Sequence, residues 1–85
     1  MALLDFYGKE CPHCVEMMPL IERLEKELGV TVEKLETWHD KKNDDLRKTH
    51  DKGDCGGVPF FVNTATGAKL CGAVSYAELK KWAKG

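Results

Sequence analysis

Cys11-Pro12-His13-Cys14 constrains this chain more than any other feature. Two cysteines two residues apart can form a disulfide, open it, or hold a metal. The pair follows an apolar run, Ala2-Leu3-Leu4-Asp5-Phe6-Tyr7, and precedes an amphipathic helical pattern from Val15 to Leu28. Cys11 is thereby expected at a strand-to-helix junction, where unpaired backbone N–H groups and the helix dipole favour a thiolate. A thiolate is the nucleophile of disulfide exchange, and Cys14 lies one turn on to resolve a mixed disulfide. Zinc would want a second close ligand pair, and Cys55 and Cys71 stand singly.

Eighty-five residues make one small domain with one modest core. The content is 42% hydrophobic and 32% charged, as in a globular chain. A net charge of −1 gives no case for binding nucleic acid or an anionic membrane. No apolar run approaches the roughly 20 residues of a membrane-spanning helix. The N-terminus lacks a basic region and a long apolar segment, so no signal peptide is read and the cytoplasm or an organelle stroma is expected. A processed secretory domain beginning with an added Met1 is the alternative.

The alternation reads β-α-β-(α)-β-β-α. Residues 2–7 form a buried strand. Pro12 suits the first helical position. Val15, Met18, Ile21, Leu24 and Leu28 form the apolar face of the first helix, which Pro19 should kink and Gly29 end. Residues 30–36 alternate as a half-buried strand. A short helix is expected over Lys42–His50, with Leu46 its main apolar contact. Val58–Asn63 and Ala68–Cys71 are strands joined by the turn Thr64–Gly67. Ser75-Tyr76-Ala77-Glu78 is a capping box opening the last helix, which carries Leu79 and Trp82.

These features together resemble the thioredoxin family over nearly the whole chain. Asp5-Phe6 precedes the first cysteine at the spacing of that family's buried aspartate. Pro19 lies five residues after Cys14, like the family's kink proline. Val32-Glu33-Lys34-Leu35 looks like the strand that carries the buried lysine, and Gly57-Val58-Pro59 like the loop ending in a cis-proline. Gly72-Ala73-Val74-Ser75 resembles the glycine turn before the last helix. The resemblance implies an α/β thioredoxin-like fold, a four-stranded mixed sheet flanked by helices, without the family's N-terminal strand and helix. There are departures. Glu10 stands where thioredoxins usually have tryptophan, and Pro12-His13 where they have Gly-Pro. The Pro-His pair resembles the oxidising disulfide-forming proteins of the bacterial periplasm. Lys9 and the short length are closer to glutaredoxin, but Ser75 is the nearest counterpart of the acidic residue with which glutaredoxins bind glutathione.

The resemblance implies a role for each candidate. Cys11 is the exposed nucleophile and Cys14 the buried resolving thiol, together the redox-active disulfide. Asp5, in an apolar strand where a charge is costly, accepts the proton of Cys14, with its pKa raised by burial. Lys34 pairs with Asp5 and offsets that rise; a purely structural Asp5–Lys34 pair is the alternative. His13 stabilises the Cys11 thiolate or is merely solvated. Val58 and a cis Pro59 receive an extended substrate strand, with Gly72 and Tyr7 bordering the same site. Cys55 and Cys71 read as two small, buried, reduced residues, with a second disulfide or regulatory thiols as alternatives. Trp38 and Trp82 read as packing residues, and His39 and His50 as solvated.

The function implied is thiol–disulfide exchange with protein disulfides and dithiols, in a monomer needing no metal or organic cofactor. A reductase or glutathione would supply electrons. A glutaredoxin-like enzyme using glutathione as co-substrate and a non-enzymatic binding or assembly module are the alternatives.

Overall fold

The computed structural model describes residues 2–53 and 55–85. Met1, and with it the reading of an added initiator residue, lies outside the described residues. The elements run β1 (Leu3–Tyr7), α1 (Pro12–Leu28), β2 (Val32–Glu36), α2 (Lys41–Asp51), β3 (Phe60–Asn63), β4 (Lys69–Cys71) and α3 (Tyr76–Lys84). They build one sheet in the order β2-β1-β3-β4. β1 is parallel to β2 and antiparallel to β3, and β3 is antiparallel to β4. This is the expected four-stranded mixed sheet.

β1 and β3 are central, and the sequence shows why. Leu-Leu-Asp-Phe and Phe-Phe-Val-Asn have almost no polar alternation, the pattern of strands covered on both faces. Side chains alternate across the sheet. Leu3, Val32 and Phe61 pack with Met17, Ile21 and Leu24 of α1 and Leu79 and Trp82 of α3. Leu4, Phe6, Phe60 and Val62 form a second cluster on the opposite face. Phe6 stacks on Phe60 with ring centroids 6.0 Å apart, and His50 of α2 lies 6.1 Å from the Phe6 ring. His50 is therefore a packing residue rather than a solvated one. Asp5 alternates with the second cluster and so belongs to the α1 face, in register with Phe61.

Two helices differ from the expected faces. In α1 the buried residues are Cys14, Met17, Ile21 and Leu24, and Val15 is 58% exposed. Turning Cys14 inward fixes the first turn, so Met17 takes the next inward place and Val15 is left outside. In α2 Leu46 is 40% exposed, while Arg47 and Asp51 are buried. The buried pair is satisfied by charge. Arg47 Nη1 donates to Asp51 Oδ2 at 3.1 Å and Nε to Asp44 Oδ1 at 3.0 Å. Asp51 also accepts the backbone N–H groups of Cys55 and Gly56. α2 thus carries the loop beyond it through its carboxylate instead of through an apolar contact. β2 begins at Val32, two residues later than expected, where Glu25 of α1 accepts the Val32 N–H at 2.9 Å.

The last helix is capped at both ends. Ser75 Oγ accepts the N–H of Glu78 at 3.2 Å. Fully buried Asn63 donates from Nδ2 to the carbonyls of Trp82 and Ala83 at 3.0 and 3.3 Å, satisfying the helix C-terminus. Its Oδ1 accepts the Ala65 N–H at 3.1 Å in the turn after β3. Asn63→Ala should therefore destabilise the protein by about 2 kcal/mol, because buried carbonyls lose their donor. Urea melts of the two proteins measure this, and unchanged stability would show that Asn63 does not hold α3.

Candidate active site

The turn Gly8-Lys9-Glu10 carries the chain from β1 into α1. Cys11 N–H donates to the Gly8 carbonyl at 3.0 Å, and Cys11 takes the N-cap position with extended backbone. Its sulfur accepts the Cys14 N–H at 3.3 Å, and its carbonyl accepts the Val15 N–H at 3.1 Å. Pro12 fills the first helical position, where no N–H is needed. A sulfur that caps a helix N-terminus is placed to carry negative charge against the first-turn N–H groups.

Both cysteines are free thiols. The expectation of an exposed Cys11 is corrected, since Cys11 is 5% and Cys14 1% exposed. Only a small part of Cys11 reaches the surface. The Cys14 thiol is pushed up to about 12, first by burial and then by its contact with Cys11, with Asp5 adding to the rise. Cys14 is therefore held in its protonated form at neutral pH.

Asp5 is the carboxyl whose charge adds to that rise. Burial pushes its carboxyl up to about 7, with the Lys34 charge opposing the rise. Neither carboxylate oxygen has a hydrogen-bond partner among the described residues. The expected Asp5–Lys34 pair is not made. The two residues are opposite one another in the β1–β2 register, but Lys34 Nζ turns to Glu25 at 3.4 Å and to the Val32 carbonyl at 3.3 Å. An ammonium at the sheet edge keeps water there, whereas under α1 it would lose it. Lys34 acts on Asp5 only through its field.

His13 is exposed, with Nδ1 3.5 Å from Glu16 Oε2, and makes no hydrogen bond to either sulfur. The geometry matches the solvated reading. The Val58–Pro59 bond is cis, as the resemblance implied. Pro59 is buried and Val58 half-buried. Gly72, with φ 82°, donates its N–H to the Pro59 carbonyl at 2.8 Å. That donor is spent on holding the loop, so Gly72 positions Pro59. Tyr7 is half-buried at the end of β1, and its carbonyl accepts both the N–H and the hydroxyl of Thr37 at 2.7 and 3.1 Å.

Three features beside the motif are not legible in the sequence. Glu36, at the end of β2, accepts the N–H groups of Lys9, Trp38 and His39 at 2.9, 3.2 and 2.7 Å. Burial works against its charge, but these donors hold the carboxyl below the usual range. His39, expected to be solvated, places Nε2 2.7 and 3.0 Å from the two carboxylate oxygens of Glu10, and this contact raises its pKa. Trp38, expected in the core, is 53% exposed and lies on Gly8, where any side chain would collide with the indole. No periodicity marks Trp38 and His39, because a loop has none, and strand alternation does not show which N–H groups Glu36 will meet. Cys55 and Cys71 are joined in a disulfide with Cα atoms 5.6 Å apart, which corrects the reading of two reduced thiols.

The raised Asp5 pKa has a signed consequence. Between about pH 4 and pH 7 the folded protein keeps a proton that the unfolded chain releases, so Asp5 costs stability as pH rises through that window. The difference in unfolding free energy between Asp5→Asn and the parent should shift towards the variant by about 4 kcal/mol from pH 4 to pH 8. Urea melts across that range test it; a difference that does not vary with pH would remove the raised pKa.

No protein-family model matches this sequence, and no curated protein matches it. Solved structures do. A glutaredoxin from Archaeoglobus fulgidus superposes with a TM-score of 0.71 at 22% identity, covering 100% of this chain and 89% of its own. A thioredoxin from Aeropyrum pernix superposes with a TM-score of 0.68 at 26% identity, covering 98% of this chain and 72% of its own. The chain thus has a thioredoxin-like fold, with a free cysteine pair at the start of α1 and a cis-proline loop before β3.

Proposed function

We propose that the protein is a thiol–disulfide oxidoreductase that exchanges disulfides with protein substrates through Cys11 and Cys14. The observation that carries this reading is the Cys11 sulfur capping α1, with a buried, protonated Cys14 thiol one turn away. In the proposed cycle the Cys11 thiolate attacks one sulfur of a substrate disulfide, and the other leaves as a thiolate. The substrate lies as an extended strand along Val58-Pro59. Cys14 then gives its proton to the Asp5 carboxylate and attacks the Cys11 sulfur. The second substrate thiolate departs and a Cys11–Cys14 disulfide remains. Two electrons have passed to the substrate, and an external thiol donor, a reductase or glutathione, restores the dithiol. The chemistry asks for no metal or organic cofactor.

Protein substrates are preferred over glutathione for a structural reason. Ser75, the counterpart of the glutathione-binding acid, uses its hydroxyl to cap α3, and the Gly72 N–H is held by Pro59. Ser75 offers a small peptide no charge, and the Gly72 N–H is already donated to Pro59. The proposed setting is the cytoplasm or an organelle stroma.

Cys11 should be alkylated by iodoacetamide at least about tenfold faster than Cys14 at pH 7, since Cys14 is both more buried and protonated. Peptide mapping after a short pulse decides this. Cys14→Ser should trap a covalent adduct on Cys11 with a peptide disulfide, visible by mass. Absence of that adduct, with Cys11 still alkylated, would refute the oxidoreductase reading. Asp5→Asn should slow resolution of the mixed disulfide by about tenfold or more while leaving its formation near the parent rate. Rapid-mixing kinetics with a chromogenic disulfide separate the two steps, and parent-like resolution would move the proton transfer elsewhere.

A further inference from the structure

The Cys55–Cys71 bridge takes no part in exchange through Cys11 and Cys14, yet it is fastened to the same loop. Cys71 ends β4, the edge strand, in register with Phe60, the residue after Pro59. Its neighbour Gly72 holds the Pro59 carbonyl. Cys55 begins the segment that runs through Gly56 and Gly57 to Val58 and Pro59. Among the described residues that segment is also held by the Asp51 carboxylate, which accepts the Cys55 and Gly56 N–H groups and is itself paired with Arg47, and by the packing of Cys55 and Val58 against the cluster around Phe6 and Phe60. A Cβ at Gly56 or Gly57 would meet nothing within 4 Å, so no neighbouring group blocks movement on that side. Between the Asp51 anchor and Val58, two successive glycines leave the backbone conformationally free. The bridge adds a covalent tie between this side of the loop and the edge strand. Its Cys71 end is exposed, whereas Cys11 and Cys14 are buried.

We propose that Cys55–Cys71 is a second redox site, a strap that an external dithiol opens and that sets how well the Val58–Pro59 segment receives a protein substrate. The proposal rests on the oxidoreductase function, in which substrates lie along this segment. The dithiol supplies both electrons. Its thiolate attacks Sγ of Cys71, the more exposed residue of the pair, forming a mixed disulfide and releasing Cys55 as a thiolate, which takes a proton from solvent. The second thiol of the reductant then displaces Cys71, leaving the reductant as an internal disulfide and both protein cysteines as thiols. With the strap open, Cys55–Val58 gains freedom that a bound peptide must remove again, so peptide binding weakens. The chemistry of Cys11 is untouched.

The test compares two disulfide substrates, a small chromogenic one and a peptide one. Cys55→Ser/Cys71→Ser should keep the parent rate of Cys11 alkylation and the parent turnover of the small disulfide. Its KM for the peptide should rise about fivefold, the low end of coupling between two sites. The parent protein provides the check that does not depend on the variant folding. Dithiothreitol should open the bridge in the folded protein, as followed by alkylation and peptide mapping. After removal of the reductant, the opened form should react with the peptide about fivefold more slowly than the form with only Cys11 and Cys14 reduced. Closure of the bridge by diamide, followed by mild reduction of the active pair, should restore the rate. A bridge that resists dithiothreitol under native conditions, or open and closed forms with equal peptide kinetics, would overturn the proposal. Failure of the parent to exchange with either substrate would instead overturn the oxidoreductase reading and this proposal with it.

Discussion

The pairing of β1 with β3 is the constraint on which the site depends. Both strands are buried on both faces, and their antiparallel register sets Phe6 opposite Phe60. The end of β1 therefore lies beside the start of β3. β1 leads into the turn to Cys11, and Val58-Pro59 leads into β3. Two segments far apart in sequence meet because one strand ends where the other begins. The same pairing assigns Asp5, the only charged residue of its strand, to the α1 face, where its carboxyl acts on Cys14. A register shift of one residue would send Asp5 to the Phe6 side and separate acid from thiol.

The site is costly to keep. Asp5 is buried without a hydrogen-bond partner among the described residues, and Cys14 is buried beside it. Both are driven towards their neutral forms by the same loss of water. The surrounding apolar cluster, Met17, Ile21, Leu24, Phe61 and Leu79, offsets the cost through burial.

The loops are braced by polar contacts that cross between elements. Glu36 holds three N–H groups from two loops, and Asp51 holds the loop that leads to Pro59. The Cys55–Cys71 bridge closes a loop whose length gives about 3 kcal/mol in the chain-entropy account. These restraints stand where packing is thin, around the rim of the site.

Local chemistry in the sequence determined much of this protein. The apolar runs of β1 and β3, the helix start at Pro12, the Gly29 stop and the Ser75 cap are each decided within a few residues, and each is found in place. The Cys11–Cys14 spacing and the burial of Asp5 were legible for the same reason, since a strand, a turn and a helix in succession carry them. Tertiary structure decided the rest. Whether Lys34 meets Asp5 or Glu25 depends on which neighbour leaves its ammonium in water. Leu46 lies outward because the Arg47–Asp51 pair occupies the inner face of α2. Trp38 is on the surface because β2 ends beside Gly8, where the missing side chain admits the indole. Cys55 and Cys71 join because the β3–β4 hairpin returns the chain to Phe60. In each case the outcome turns on a partner distant in sequence, and spacing along the chain does not encode which distant group arrives.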